Sequence, residues 1–183
     1  MSTATQTRMT ADEFIRAHGD ESGVELANGE IRRIPMPGSE HGEVCFRAAL
    51  ILGNHVVPNR LGRIMTNDTF IRMSETHCFG ADVCFVSYET LPADRPTPKG
   101  PLAPPLELVV EVRSPSDSVA DMTDKATQYL RAGVRVVLVL DPNTDSAALF
   151  RPDELPQRFH NGDVLTIPDV LPGFSAPVAK FFE

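Results

Sequence analysis

Glu111 lies near the end of Leu106 to Val112, an almost unbroken apolar run of the kind that forms a central strand covered on both faces. An ionised carboxylate there loses several kcal/mol of solvation unless a cation sits beside it. Asp82 stands at the mouth of a second apolar run, Val83-Cys84-Phe85-Val86, and Lys125 falls on the helix expected just after Glu111. Counting about 100° per residue from Val119, Lys125 flanks the apolar stripe beside Tyr129, where a long stem can carry its ammonium along the sheet edge. Two carboxylates at strand ends and one lysine meet the needs of Mg²⁺-assisted phosphodiester hydrolysis. The oxygens fix a hard ion, and the cation orients water or stabilises charge on the phosphorane.

Spacing alone leaves other readings open. Glu111 could form a buried ion pair with Lys125 or Arg113 that merely stabilises the fold. Asp82 taken alone reads as a strand-start cap, and Lys125 taken alone as an ordinary solvated helix lysine. His41 and Cys45, i and i+4 on one helix, could supply half of a zinc site with His77 and Cys78 as the other half. Adjacent residues of a strand point apart, however, which counts against His77 and Cys78 sharing one ion. The chain has no G-x-S-x-G, G-x-x-x-x-G-K-[ST] or G-x-G-x-x-G motif, so hydrolase-elbow, P-loop and dinucleotide sites lack support.

The elements that must position these residues follow from periodicity and punctuation. Thr10, Asp12 and Glu13 open a short helix that Gly19 stops. Val24 to Ala27 and Glu30 to Ile34 form a hairpin about Asn28-Gly29, because Asn-Gly supplies the positive φ angles of a two-residue turn, and the register sets Glu25 opposite Arg32. Ser39 is the expected N-cap of a long helix carrying Val44, Ala48, Ile51, Leu52 and Val56 and ending before Pro58. Strands are expected over Gly62 to Met73 and Ala81 to Val86, then a proline-rich connection over 90–105 holding Pro92, Pro96, Pro98, Pro101, Pro104 and Pro105, expected to be exposed and mobile. After the Glu111 strand, Ser118 and Asp121 form a capping box for a helix closed by Gly133, and Val134 to Leu140 reads as a second buried strand, parallel to the first. Ala147 to Arg151 and Arg158 to Ile167 read as meander strands, and Ala176 to Phe182 as a closing helix.

Length and composition bound the answer. The 183 residues suit a single domain over 1–183, with residues 1–9 expected to be flexible. The 42% hydrophobic and 23% charged residues are those of a globular protein, which excludes disorder and a membrane bundle. A net charge of −8 argues against broad attraction to phosphate backbones, so a polyanion would have to be held by a few cations or a metal. Three cysteines without C-x-x-C spacing fit a reducing cytoplasm, and neither an apolar leader nor a bilayer-length run is present.

Taken in order along the chain, several segments resemble one family. They are Glu25-Leu26-Ala27-Asn28-Gly29-Glu30, Gly38-Ser39-Glu40-His41-Gly42, Ala81-Asp82-Val83, Val109-Val110-Glu111-Val112-Arg113-Ser114-Pro115-Ser116-Asp117 with Lys125 following, Tyr129 to Val134, Asp141-Pro142 and Leu171-Pro172-Gly173-Phe174. The set is similar to the Uma-two endonuclease family of the PD-(D/E)XK restriction-endonuclease-like superfamily. Two positions depart from the family pattern: Ala81 stands where a proline usually precedes the aspartate, and Arg113 where an apolar residue is more common.

The resemblance implies an α/β, restriction-endonuclease-like fold, a mixed central sheet flanked by helices with an N-terminal hairpin and a C-terminal meander. It implies a Mg²⁺- or Mn²⁺-dependent endonuclease acting on DNA, with Asp82 and Glu111 holding the metal and the catalytic lysine moved from the strand to Lys125 on the next helix. Glu25 matches an early acidic position that can join the site, in competition with a cross-strand pair to Arg32. His41 matches a position at a helix start, and Arg113 is a second cation close enough to compete for Glu111. Similar proteins are dimeric, so a homodimer is expected. The rival from another class is a catalytically silent scaffold of the same fold that binds protein or nucleic acid.

Overall fold

The computed structural model describes residues 8–183; the expectation for residues 1–9 therefore falls mostly outside the described residues. The first helix, α1 (Ala11–His18), opens with the Thr10 capping box, in which the Glu13 amide donates to Thr10 Oγ1 and the Thr10 amide to the Glu13 carboxylate. A hairpin follows, β1 (Val24–Ala27) and β2 (Glu30–Arg33). Its turn has Asn28 at φ 54° and Gly29 at φ 76°, and Glu25 stands opposite Arg32 as the turn chemistry requires. The long helix α2 (Ser39–Val56) buries Val44, Ala48, Leu52 and Val56. Its N-cap is Gly38 with no side-chain bond, so Ser39 is the first helical residue and not the cap.

Two long antiparallel strands follow, β3 (Gly62–Ser74) and β4 (His77–Ser87). β4 begins four residues earlier than its apolar run suggested, because the Glu75-Thr76 turn pairs Ser74 with His77 and zips the hairpin past Gly80. Asp82 is consequently a mid-strand residue, not a strand-start cap. The central strand β5 (Leu106–Val112) is buried along its whole length. Helix α3 (Val119–Ala132) carries the Ser118–Asp121 capping box and ends at Gly133, whose φ of 108° is the left-handed conformation that favours glycine. It leads to β6 (Val134–Asp141), parallel to β5, with Glu111 beside Val139. The meander β7 (Ser146–Phe150) and β8 (Gln157–Phe159) completes the sheet in the order β2-β1-β4-β5-β6-β7-β8, with β3 on β4.

The C-terminal expectations need correction. Arg158 to Ile167 is not one strand: it divides between β8 and β9 (Val164–Leu165), and β9 pairs with β10 (Ala176–Pro177) in a separate two-stranded sheet. The closing helix is one 3₁₀ turn, Val178–Phe181, whose Val178 and Phe181 fill the core under α2. The proline-rich connection is also more closely held than its composition suggested. Leu102 is buried and exchanges backbone hydrogen bonds with Phe70 and Arg72, and the Arg63 guanidinium donates to Thr97 and to the carbonyls of Pro92, Ala93 and Arg95.

Alternation along β5 decides which helix faces the site. Leu108, Val110 and Val112 pack with Val44, Ala48 and Leu52 of α2, whereas Val109 packs with Met122, Ala126 and Tyr129 of α3. Glu111 follows Val109 onto the α3 face. Because α3 delivers the groups that meet Glu111, its N-terminal cap matters. Ser118→Ala removes the hydroxyl that accepts the Asp121 amide and should cost about 1 kcal/mol, lowering the melting temperature by about 2–4 °C. An unchanged thermal melt would show that the cap adds nothing.

Candidate active site

The site forms where the sheet forks. β3 occupies one edge of β4 along its length. The other edge is shared, with β1 pairing at Leu26 and Cys78, and β5 pairing from Val83 with Val110 to Phe85 with Leu108. Between these two ladders the backbone of Phe79 to Asp82 lacks a strand partner on that side, so side chains satisfy it. The Gly80 amide donates to Glu25 Oε1 at 3.2 Å, and the Gly80 carbonyl receives longer contacts from Lys125 Nζ and the Tyr129 hydroxyl, each 3.4 Å. Asp82 and Glu111 each lie one residue past the last rung, and the Val112 amide donates to Asp82 Oδ2 at 2.7 Å in place of a backbone carbonyl. Opposite Asp82, β3 bulges at Asn67 and Asp68, both at positive φ, which lays Asp68 against Gly80.

Glu111 is 3% exposed and both its oxygens are bound. Lys125 Nζ donates to Oε2 at 2.8 Å and the Tyr129 hydroxyl to Oε1 at 2.8 Å, from one face of α3. Lys125 Nζ also reaches Glu25 Oε1 at 2.9 Å. Burial pushes the Glu111 carboxyl up to about 8, against the pull of Lys125 and with help from the Asp82 and Glu25 charges. Burial works against the Lys125 ammonium as well, but Glu111 and Glu25 outweigh it and hold the amine firmly protonated. Burial and the same carboxylates raise the Tyr129 hydroxyl, which stays a donor.

At the start of α2, His41 Nε2 lies 3.4 Å from Asp82 Oδ2, and Cys45 Sγ 3.4 Å from His41 Nδ1. Burial lowers the affinity of His41 for a proton, but the bond to Asp82 and its charge more than restore it, for a net upward shift. Burial and then Asp82 push the Cys45 thiol well up. His77 and Cys78 are elsewhere: His77 Nε2 accepts the Asn28 amide, and Cys78 is buried beside α1. The four-residue zinc set is therefore not assembled. Glu25, His41, Asp68, Asp82, Glu111 and Lys125 line one cleft of about 1090 Å³, whose walls also carry Glu21, Asp117, Asp121 and Asp124 against few cations, Arg32 and Lys99 among them.

Residues 11–179 match the Uma2 family, described as "Putative restriction endonuclease". The chain belongs to the Uma2 family. Among solved structures it is similar to a crystal structure of "a putative nuclease belonging to DUF820" from Anabaena variabilis ATCC 29413, with a TM-score of 0.81 and 20% identity over 95% of this chain and 97% of that one. The fold is thus restriction-endonuclease-like, a mixed sheet flanked by helices. No curated protein matches the chain.

In this Uma2 chain the tertiary structure brings Glu25, His41, Asp82, Glu111 and Lys125 together from five different elements. It does not bring Arg113, whose guanidinium pairs with Asp141 at 2.7 Å and donates to the Asp117 carbonyl, so Arg113 is withdrawn as a rival partner of Glu111. Glu25 keeps its register opposite Arg32 but gives its carboxylate to Lys125 and Gly80. Sequence reasoning missed Asp68, the hydroxyl role of Tyr129 and the nearness of Cys45 to Asp82. The Asn67-Asp68 pair inside a strand pattern was a bulge signal for the first; Tyr129 read as core because most of its ring is core.

The buried Glu111 makes stability depend on pH. Above 4.5 an unfolded chain has released the proton that the folded state keeps to about 8, so the metal-free fold loses stability across this window as pH rises. Glu111→Gln should flatten that part of the profile in chemical denaturation. Superimposable profiles for the two proteins would contradict the assignment.

Proposed function

We propose that this Uma2 chain is a divalent-metal-dependent endonuclease that hydrolyses phosphodiester bonds in DNA. The observation that carries the reading is that Glu25, Asp82 and Glu111, far apart in sequence, meet in one open cleft, where Lys125 pairs with Glu25 and Glu111 and His41 stands beside Asp82. Three carboxylates against one ammonium and one imidazole leave an excess of negative charge. Hard oxygen donors with such an excess suit Mg²⁺ or Mn²⁺, so the residues present fit the ion. Asp82 and Glu111 would hold it.

When bound, such an ion polarises the phosphoryl oxygens and lowers the pKa of a coordinated water. The remaining work belongs to the chain. Glu25 holds the Lys125 amine in place, leaving its third N–H only the long contact to the Gly80 carbonyl. That N–H is available to orient a water or meet charge developing on the scissile phosphate. Tyr129 fixes the orientation of Glu111, and His41 leans on Asp82. The acid-rich walls repel a phosphate backbone until a cation offsets them, which makes metal a requirement for substrate binding as well as for chemistry. Asp68 adds a further carboxylate beside Asp82, its carboxyl raised by burial and by that neighbour.

One observation favours the rival reading, a silent scaffold: both Glu111 oxygens are already satisfied by Lys125 and Tyr129, as in a purely structural network. Cleavage of plasmid DNA with Mg²⁺ or Mn²⁺, compared with EDTA, decides between them. Asp82→Asn keeps an oxygen to accept the Val112 amide but loses the charge. Its cleavage rate should fall by roughly 10²-fold or more, with little change in melting temperature. Equal cleavage by both proteins, or none by the wild type with either ion, would sink the proposal.

A homodimer would offer two clefts to the two strands of a duplex. Its support is the row of exposed apolar residues formed by Phe46 and Leu50 on the outer side of α2 and Val57 at its C-terminal cap. Sedimentation should give a dimer for the wild type and a monomer for Phe46→Glu, whereas a monomeric wild type would remove the dimer.

A further inference from the structure

We propose that His41, Cys45 and Asp82 form a second ion site, selective for a borderline-soft divalent metal of the Zn²⁺ class, which shares Asp82 with the cleft and switches cleavage off when filled. A ring nitrogen of His41, the sulfur of Cys45 and an oxygen of Asp82 all lie within 4.8 Å of one another. The edges of a tetrahedral zinc site are roughly 3.3–3.8 Å, given metal–ligand bonds near 2.0–2.3 Å, so the set closes when the His41 ring, whose Nδ1 faces Cys45 and Nε2 faces Asp82, turns to aim one nitrogen between them. His41 and Cys45 are one helical turn apart on α2, which presents both ligands on one face of a rigid element. Asp82 is tethered by the Val112 amide, which keeps the third ligand at the cleft while leaving its carboxylate room to turn.

The donor types separate this site from the carboxylate pair. Imidazole and thiolate suit Zn²⁺ or Co²⁺, whereas Mg²⁺ demands oxygen ligands and gives up water reluctantly. Three protein ligands leave a fourth position for water. Binding replaces the thiol proton: the Cys45 S–H bond breaks, the sulfur–metal bond forms, and the proton leaves to solvent. The two sites cannot be filled independently, because an Asp82 oxygen drawn toward Cys45 on α2 is drawn away from Glu111 on β5. The ion site stands on its own geometry, and only its effect on cleavage rests on the nuclease reading.

Co²⁺ is the probe, since a thiolate ligand gives it a near-ultraviolet charge-transfer band that carboxylates do not. Titration of the metal-free protein should develop that band with one equivalent. Cys45→Ser should abolish it, and His41→Ala should weaken Zn²⁺ binding by calorimetry by at least the roughly 10–100-fold that loss of an outer-shell partner costs. Cys45→Ala, checked by thermal melting, serves if the serine variant fails to fold. Co²⁺ binding without the band, or equal Zn²⁺ affinity in wild type and Cys45 variants, overturns the site. In the cleavage assay Zn²⁺ should inhibit the wild type in the presence of Mg²⁺ and spare Cys45→Ser; equal inhibition of both would overturn the switch. A thiolate band with no cleavage under any ion removes the nuclease reading and keeps the site. Mg²⁺-dependent cleavage with no Co²⁺ band does the reverse.

Discussion

A carboxylate buried near the end of the central strand is the constraint around which this structure is arranged. Glu111 is almost wholly shielded from bulk water, and leaving its charge unpaired there would cost several kcal/mol. The compensating charge must come from an element that crosses the α3 face, because the other face of β5 is filled by α2 and the C-terminal residues. α3 supplies it in one turn: Lys125 takes one oxygen and Tyr129 the other. The Ser118 cap and the Gly133 stop set where that turn falls along the strand, and the N-terminal hairpin completes the network with Glu25 on the same ammonium.

The second ordering feature is the fork in the sheet. Two strands share one edge of β4, β1 at Cys78 and β5 from Val83, and the interval between them exposes backbone groups that a sheet would otherwise pair. Polar side chains fill the interval because an unpaired buried amide or carbonyl is costly. The residues that repair the sheet are therefore the residues that line the cleft, and in the proposed nuclease structural and chemical roles would coincide at Asp82 and Glu25. The bulge at Asn67-Asp68 belongs to the same region, where the β3 ladder is interrupted opposite Asp82.

The charge balance of the cleft links these features to chemistry. One part-buried ammonium serves Glu25 and Glu111, and burial makes Glu111 hold its proton to about 8 against the pull of that ammonium. A cation is the simplest remedy for such a site. Two chemically distinct donor sets meet there, oxygens alone on the β5 side and nitrogen and sulfur added on the α2 side, with Asp82 common to both.

Much of this was legible from residues alone wherever the controlling interaction is local. The Thr10 and Ser118 caps, the Asn28-Gly29 hairpin with its register, the parallel pairing of β5 and β6 and the edge position of Lys125 on its helix all follow from neighbours within a few residues or from periodicity. The segments shared with the Uma2 family added Glu25 and His41, which periodicity alone could not single out. Non-local facts were decided only by tertiary structure. Arg113 and Lys125 were equal candidates for Glu111 by charge, and packing chose between them by turning Arg113 toward Asp141. Glu25 faced Arg32 by register, yet Lys125 captured it because its ammonium is part-buried beside the carboxylate while Arg32 lies on a strand exposed along its whole length. The extension of β4 past Gly80, the missing helix at the C-terminus and the approach of Cys45 to Asp82 depend likewise on which partner strand or helix arrives. The sequence by itself determined the local conformations and the need to compensate Glu111, since both are properties of a residue and its near neighbours. Which cation answers that need, and which side chains fill the fork, are settled by distances between elements that only the folded chain defines.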